Sequence, residues 1–296
     1  FVFILIGTIL GGILVSKDIL SIVGFFPISI AVILLSIFGY ICSRYIPELE
    51  RPKTNSIKLN PIKETIRTIG LSSLNKHVKR SIHGISWFWF FGFFFMASLP
   101  GFVRDTLKAD EITSSIFLTA ISIGMGIGSI FCNKLSEGEL KIGLVPFASL
   151  GISLSGVIFS LTPTIELADK SLLFSPINLI QSGVIWIPLT SLFFVGFFGG
   201  AYIVPLYTML QIKTPKKTRS QFIASNNIIN AIYMVSAALC AIIGQRNGLA
   251  LKDIFFIVSL LNIISGAIFF IKYPSDFYLI FFKIFFKTIY KIKINY

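Results

Sequence analysis

The sequence predicts an all-α, polytopic membrane protein, and three observations carry that prediction. Apolar runs of about 18 to 22 residues recur along the chain, each long enough as a helix to cross a hydrocarbon core of about 30 Å. Charged residues make up 13% of the chain, against about 25% in soluble domains, and mean hydropathy is +0.84. The charges that remain sit in segments between the apolar runs, and alternate segments differ sharply in their content of Lys and Arg.

In chain order, residues 1–15 form an apolar stretch in which Gly7, Gly11 and Gly12 give a small-residue packing face. No basic region precedes it, so it is not read as a signal peptide, and the sequence is expected to begin partway through a membrane helix. Ser16, Lys17 and Asp18 make a polar turn, and residues 22–42 form a second span. Residues 44–80 hold nine basic and three acidic side chains. Within them Ile62, Ile66, Ile69 and Leu74 recur at helical spacing, which predicts an amphipathic helix on the membrane surface.

Further spans are predicted at 85–103, 113–132, 144–161, 190–210, 222–243 and 254–271, with a polar loop at 162–182. That makes about eight spans, the first incomplete. The corresponding divisions are 1–42, the last two helices of an N-terminal bundle; 43–82, a linker; 83–272, a six-helix bundle; and 273–296, an interfacial tail.

Basic charge tests this topology separately. Counting alternate segments puts 20 of the 26 Lys and Arg residues on one side and 6 on the other, while the 13 acids divide six to seven. Lys and Arg set orientation and acids hardly matter, so the linker and the C-terminus are expected to be cytoplasmic. The net charge of +13 is then met by anionic lipid headgroups, and no nucleic-acid partner is expected.

The most specific stretch is 195–235. Its first limb carries Gly196, Gly199 and Gly200, where a neighbouring helix can approach. Its turn holds Lys213, Lys216, Lys217 and Arg219 without an acid. Its second limb sets Asn226, Asn227 and Asn230 in an apolar helix. An unsatisfied amide at that depth is costly, so these residues face protein or a water-filled cavity. Two readings stay open: a substrate-binding role along a translocation path, or hydrogen bonds between helices. At 100° per residue the three fall within an arc of about 100°, with Asn227 at one edge.

Gly124 and Gly128 belong to a GMGIG stretch inside an apolar span with no Lys-Ser/Thr after it, which points to helix packing rather than phosphate binding. Trp87 and Trp89 fall near the cytoplasmic end of their span, as an aromatic belt would. All thirteen acids fall in loops, so no span carries a carboxylate. Cys42, Cys132 and Cys240 have no metal or disulfide spacing; no metal, cofactor or catalytic residue is predicted.

Two spans, a long cytoplasmic linker and six spans match a major facilitator-type helix bundle, incomplete at its start, in which substrate sits between two halves. Several phrases carry a closer resemblance: GTILGG at 7–12, ISWFWFFG at 85–92, SIGMGIGSIFCNKLSEGELKIGLVPF at 122–147, GFFGGAYIVPLYTMLQ at 196–211 and RSQFIASNNIINAIYMV at 219–235. In this order they resemble bacterial lysophospholipid transporters, and more closely the transporter part of fusions that continue into an acyltransferase and an acyl-activating domain.

The resemblance implies a transporter that moves lysophospholipid across the inner membrane for reacylation. Its partners would be membrane lipids, the lysophospholipid, a separately encoded N-terminal half and an acyltransferase. The tail at 275–296 resembles the connector into the acyltransferase, and Lys283, Lys287 and Lys291 give it a basic stripe suited to a membrane surface. That acyltransferase would pair a His with an Asp, four residues lying between them, whereas His77 and His83 have Ile82 and Phe88 at that position, so no enzymatic activity is expected. The segment 134–141 lies where the superfamily keeps a gating motif but departs from its Gly-Arg-rich form. An exporter of a drug or metabolite, or a non-transporting remnant of a split gene, are the alternative readings.

Overall fold

The computed structural model describes residues 6–7, 10–11, 24, 26–47, 60–72, 75–136, 140–165, 173–279 and 281–282. The span expected at 1–15 falls mostly outside these residues, and the basic stripe of Lys283, Lys287 and Lys291 falls wholly outside them. The described residues are almost entirely helical. Among the described residues, nine helices follow one another, named here α1 (Phe26–Ser43), α2 (Pro61–Ser72), α3 (Lys76–Thr106), α4 (Glu111–Ser136), α5 (Leu144–Ser160), α6 (Pro176–Gln181), α7 (Trp186–Ile212), α8 (Arg219–Arg246) and α9 (Leu251–Lys272), and residues 274–279 after them are helical as well. Six of them, α1, α3, α4, α7, α8 and α9, are long and apolar enough to cross a membrane. The apolar α5 has 17 residues, the lower limit for a span.

The helices from α3 onward form one bundle. Helix α7 packs against α3, α4 and α5; α9 packs against α5 and α3; and α8 packs against α3. Helix α1 buries no residue. In apolar surroundings burial of oil-like side chains gives little drive to associate, so contact shape and hydrogen bonds hold such helices together. One set of contacts is aromatic: the ring of Phe255 on α9 meets Phe94, Phe95 and Phe102 of α3 and Phe159 of α5 edge-on, at centroid separations of 4.6 to 5.5 Å. Edge-to-face rings at these distances add favourable quadrupole contact to their packing.

Three elements differ from their expected form. Helix α3 begins at Lys76, well before the apolar run, because the Asn75 side chain accepts from the backbone N–H groups of His77 and Val78 and caps it there. At 31 residues it is about 46 Å long, more than the hydrocarbon core requires, so its first turns extend past that core. Helix α2 docks on α8 and α3 instead of standing apart: Ile69 packs on the core while Ile66 stays exposed. The loop expected at 162–182 contains α6, capped by Ser175, and a backbone bridge joining Ala109 to Phe174.

Acidic residues also reach into helices. Glu111 and Asp253 lie in the first turns of α4 and α9, and Asp105 in the last turn of α3. Acidic charge in a first turn complements the helix dipole, and all three positions are terminal. The middle of each bundle helix carries no carboxylate.

Candidate functional site

Helices α4 and α7 touch backbone to backbone. A Cβ at Gly124 or Gly128 would collide with the carbonyl oxygens of Phe193 and Phe197, and a Cβ at Gly196 or Gly200 with those of Ile121 and Met125. Each helix thus supplies two glycines four residues apart, one turn of one side, and the two pairs interleave. Gly199 turns instead toward α3, where a Cβ would lie 3.2 Å from the Phe88 ring. Gly7 and Gly11 have no described atom within 4 Å of that position.

Close approach of α4 and α7 fixes one wall of an apolar cavity of about 440 Å³. Phe88, Trp89 and Gly92 of α3, Met125 of α4 and Val204 of α7 are among the residues lining it. The polar side chains on its surface are few: Ser122, Tyr207, Thr208 and Gln211, besides the indole N–H of Trp89. That N–H donates to the Tyr207 hydroxyl at 3.4 Å. Volume and lining fall in the range of small-molecule sites, concave and mostly apolar with a few polar groups. Among the described residues no ionisable acid or base, Tyr207 aside, lines it.

A second hollow, about 660 Å³, opens between the start of α3, the end of α9 and Tyr233 of α8. Lys76, Lys79, Arg80 and Lys272 line one end of it with Ile268 one turn from Lys272, and His83, Tyr233, Trp87, Leu261 and Ile264 continue the lining away from that end. Arg80 is held in place, donating to the Tyr273 hydroxyl at 3.4 Å with its guanidinium 5.6 Å from that ring's centre. A His83 ring nitrogen lies 3.3 Å from the Tyr233 hydroxyl.

The two hollows lie on different faces of α3 and are separated by Tyr202. Its buried hydroxyl bonds Ser265 at 2.8 Å and donates to the Gly84 carbonyl at 3.3 Å, both groups of the basic cleft. Its ring stacks on Phe88, which belongs to the apolar cavity.

The three asparagines of α8 divide. Asn226 and Asn230 are 1% and 7% exposed, and Asn227 is exposed. Asn230 accepts from the Ser86 hydroxyl of α3 at 2.7 Å. The Asn226 amide donates to Asn227 at 3.3 Å, while its oxygen is buried with no partner. None of the three lines either hollow.

Sequence reasoning passed over a fourth amide, Asn262 of α9. It is 2% exposed, accepts from the Trp87 indole at 2.9 Å, and donates to the carbonyl and hydroxyl of Ser149 and to Ser153. The Ser149 hydroxyl in turn donates to the Asn262 backbone carbonyl at 2.9 Å. This network ties α3, α5 and α9 together. Trp87 and Trp89 therefore make interior contacts, Trp87 also stacking on Phe90 at 5.1 Å, and not an aromatic belt. An isolated Asn in LLNIIS carries the same cue as the α8 asparagines, a lone amide in an apolar run, and would have been found by applying that cue to every span.

Among the described residues no group of three His, Cys, Asp or Glu side chains could hold a metal ion. No protein-family model, curated protein or solved structure matches this chain.

Proposed function

We propose that this chain belongs to a membrane transporter that moves lysophospholipids across the bacterial inner membrane for reacylation, with a major facilitator-type bundle and its C-terminus in the cytoplasm. The observation that carries the reading is the apolar cavity between α3, α4 and α7. A cationic drug would need an anionic partner there, and a polar metabolite a denser set of hydrogen-bonding groups; this lining offers neither. A single acyl chain needs only an apolar wall, with hydroxyls and an amide at its polar end.

Coupling to protons would call for a buried ionisable group. Among the described residues the middle of each bundle helix carries no carboxylate, so proton coupling would need such a group from elsewhere in the transporter.

The test is reconstitution of this chain together with an N-terminal half in vesicles with fluorescent lysophosphatidylethanolamine or its two-chain counterpart in the outer leaflet. The chain by itself is expected to move neither, because substrate sits between two halves. Extraction of the remaining outer-leaflet probe by albumin reports movement. Faster movement of the one-chain lipid alone is expected, and equal rates with and without protein would contradict the reading. Orientation has its own test: reporters fused after Tyr296 and inserted at 51–63 should both report cytoplasm, given the 20-to-6 division of basic charge.

A further inference from the structure

We infer that the basic cleft between α3, α8 and α9 is a binding site for an anionic, two-chain phospholipid of the surrounding leaflet. Its phosphate would sit among Lys76, Lys79, Arg80 and Lys272, with acyl chain against the deeper apolar wall. The site follows from how two antiparallel helices end together. Helix α3 starts with its cations and α9 finishes with Lys272, so four positive groups converge at one end of the bundle, and among the described residues no acidic one lines the cleft. Lys76, Lys79 and Lys272 are exposed, while Arg80 is held by Tyr273.

Below the cations the lining changes in the order that a phospholipid does. His83, Tyr233 and Ser265 come first, and Trp87, Ile264 and Leu261 follow. Lys79 and Trp87 are about 12 Å apart along α3, the distance from a headgroup into the acyl region. On α9, Leu261, Ile264, Ile268 and Lys272 follow one another at helical spacing along one face. The three apolar members of that face are 41 to 57% exposed within the bundle.

A soluble phosphate compound would use the cations but leave that apolar wall in water. A neutral lipid would use the wall but leave four cations without counter-charge. An anionic phospholipid satisfies both. The inference is independent of the transport reading: a chain that moves no lysophospholipid can hold this lipid, and the reverse.

The experiment is native mass spectrometry of the full chain in detergent with equal amounts of dioleoylphosphatidylglycerol and dioleoylphosphatidylcholine. Wild-type protein should retain the anionic lipid preferentially. The triple variant K76Q/K79Q/K272Q should lose that preference, by roughly fivefold for each cation neutralised. K76R/K79R/K272R should keep it, which separates loss of charge from loss of fold. If the triple glutamine variant is not recovered folded, K272Q alone should show the single fivefold step. Glycerol 3-phosphate at the lipid's concentration should not release the bound lipid. Equal retention of the two lipids by wild type, an unchanged preference in the glutamine variants, or release by glycerol 3-phosphate would each overturn the assignment.

Discussion

The two limbs of the α7–α8 hairpin share length and apolar composition, yet they are built to opposite rules. Helix α7 is central, touching α3, α4 and α5, and its closest contacts are made where side chains are missing. Helix α8 is peripheral, packed on α3 and α2, and its distinctive contact is a side-chain hydrogen bond from Ser86 to Asn230. The difference has a physical cause. A helix surrounded by neighbours gains most from close approach, since dispersion falls steeply with distance. A helix with one packed face can use a directed polar contact there and leave its other face to lipid or to another part of the protein.

The largest expected effect tests the α7 side. Gly196→Leu drives a side chain into the Ile121 carbonyl, and helices held backbone to backbone have no slack, so folded yield should fall by more than the 1–3 kcal/mol of ordinary overpacking. Gly126→Leu, one position with open space beside it on the facing helix, should leave yield unchanged. Fluorescence-detected size-exclusion of both variants makes the comparison. Equal yields would mean that α4 and α7 do not interlock.

Next comes Asn262→Leu. It leaves the Trp87 indole without its acceptor and Ser153 without its donor, and a buried polar group left unmade costs about 1–3 kcal/mol. Thermal unfolding in detergent should show a clear drop in midpoint; no change would remove Asn262 from the framework.

The smallest effects belong to α8. Asn230→Leu removes one interhelical hydrogen bond, on the order of 0.6 kcal/mol in a membrane. Asn227→Leu, at an exposed position, should not alter the midpoint at all, and a fall in lysophospholipid movement with stability intact would assign it to the translocation path. If Asn230→Leu destabilised more than Asn262→Leu, the contrast between central and peripheral helices would be reversed.

Much of the all-helical membrane architecture was legible because its signal is local: length, apolarity and charge between spans need no knowledge of neighbours. Glycines at four-residue spacing likewise marked faces capable of close approach. Partners were not legible. The asparagine pattern in α8 indicated a face turned away from lipid, but nothing in RSQFIASNNIINAIYMV identifies Ser86, 144 positions away, as what Asn230 meets. The basic cleft was hidden for the same reason: Lys76, Lys79 and Arg80 read as linker charge until α3 proved to start at Lys76 and bring them beside Lys272. Trp87 read as a belt residue because its acceptor lies in another span, 175 positions along the chain.

Gly92 gives direct access to the proposed passage of lysophospholipid through the apolar cavity. Gly92 lines the cavity, and a Cβ there would meet no atom within 4 Å, so Gly92→Phe fills the space without disturbing the backbone. Folded yield and thermal midpoint should match wild type or rise slightly, since glycine is a poor helix former. Movement of lysophosphatidylethanolamine in vesicles that also hold the N-terminal half should fall at least about tenfold, equivalent to about 1.4 kcal/mol. Wild-type movement by a folded Gly92→Phe variant would contradict the account.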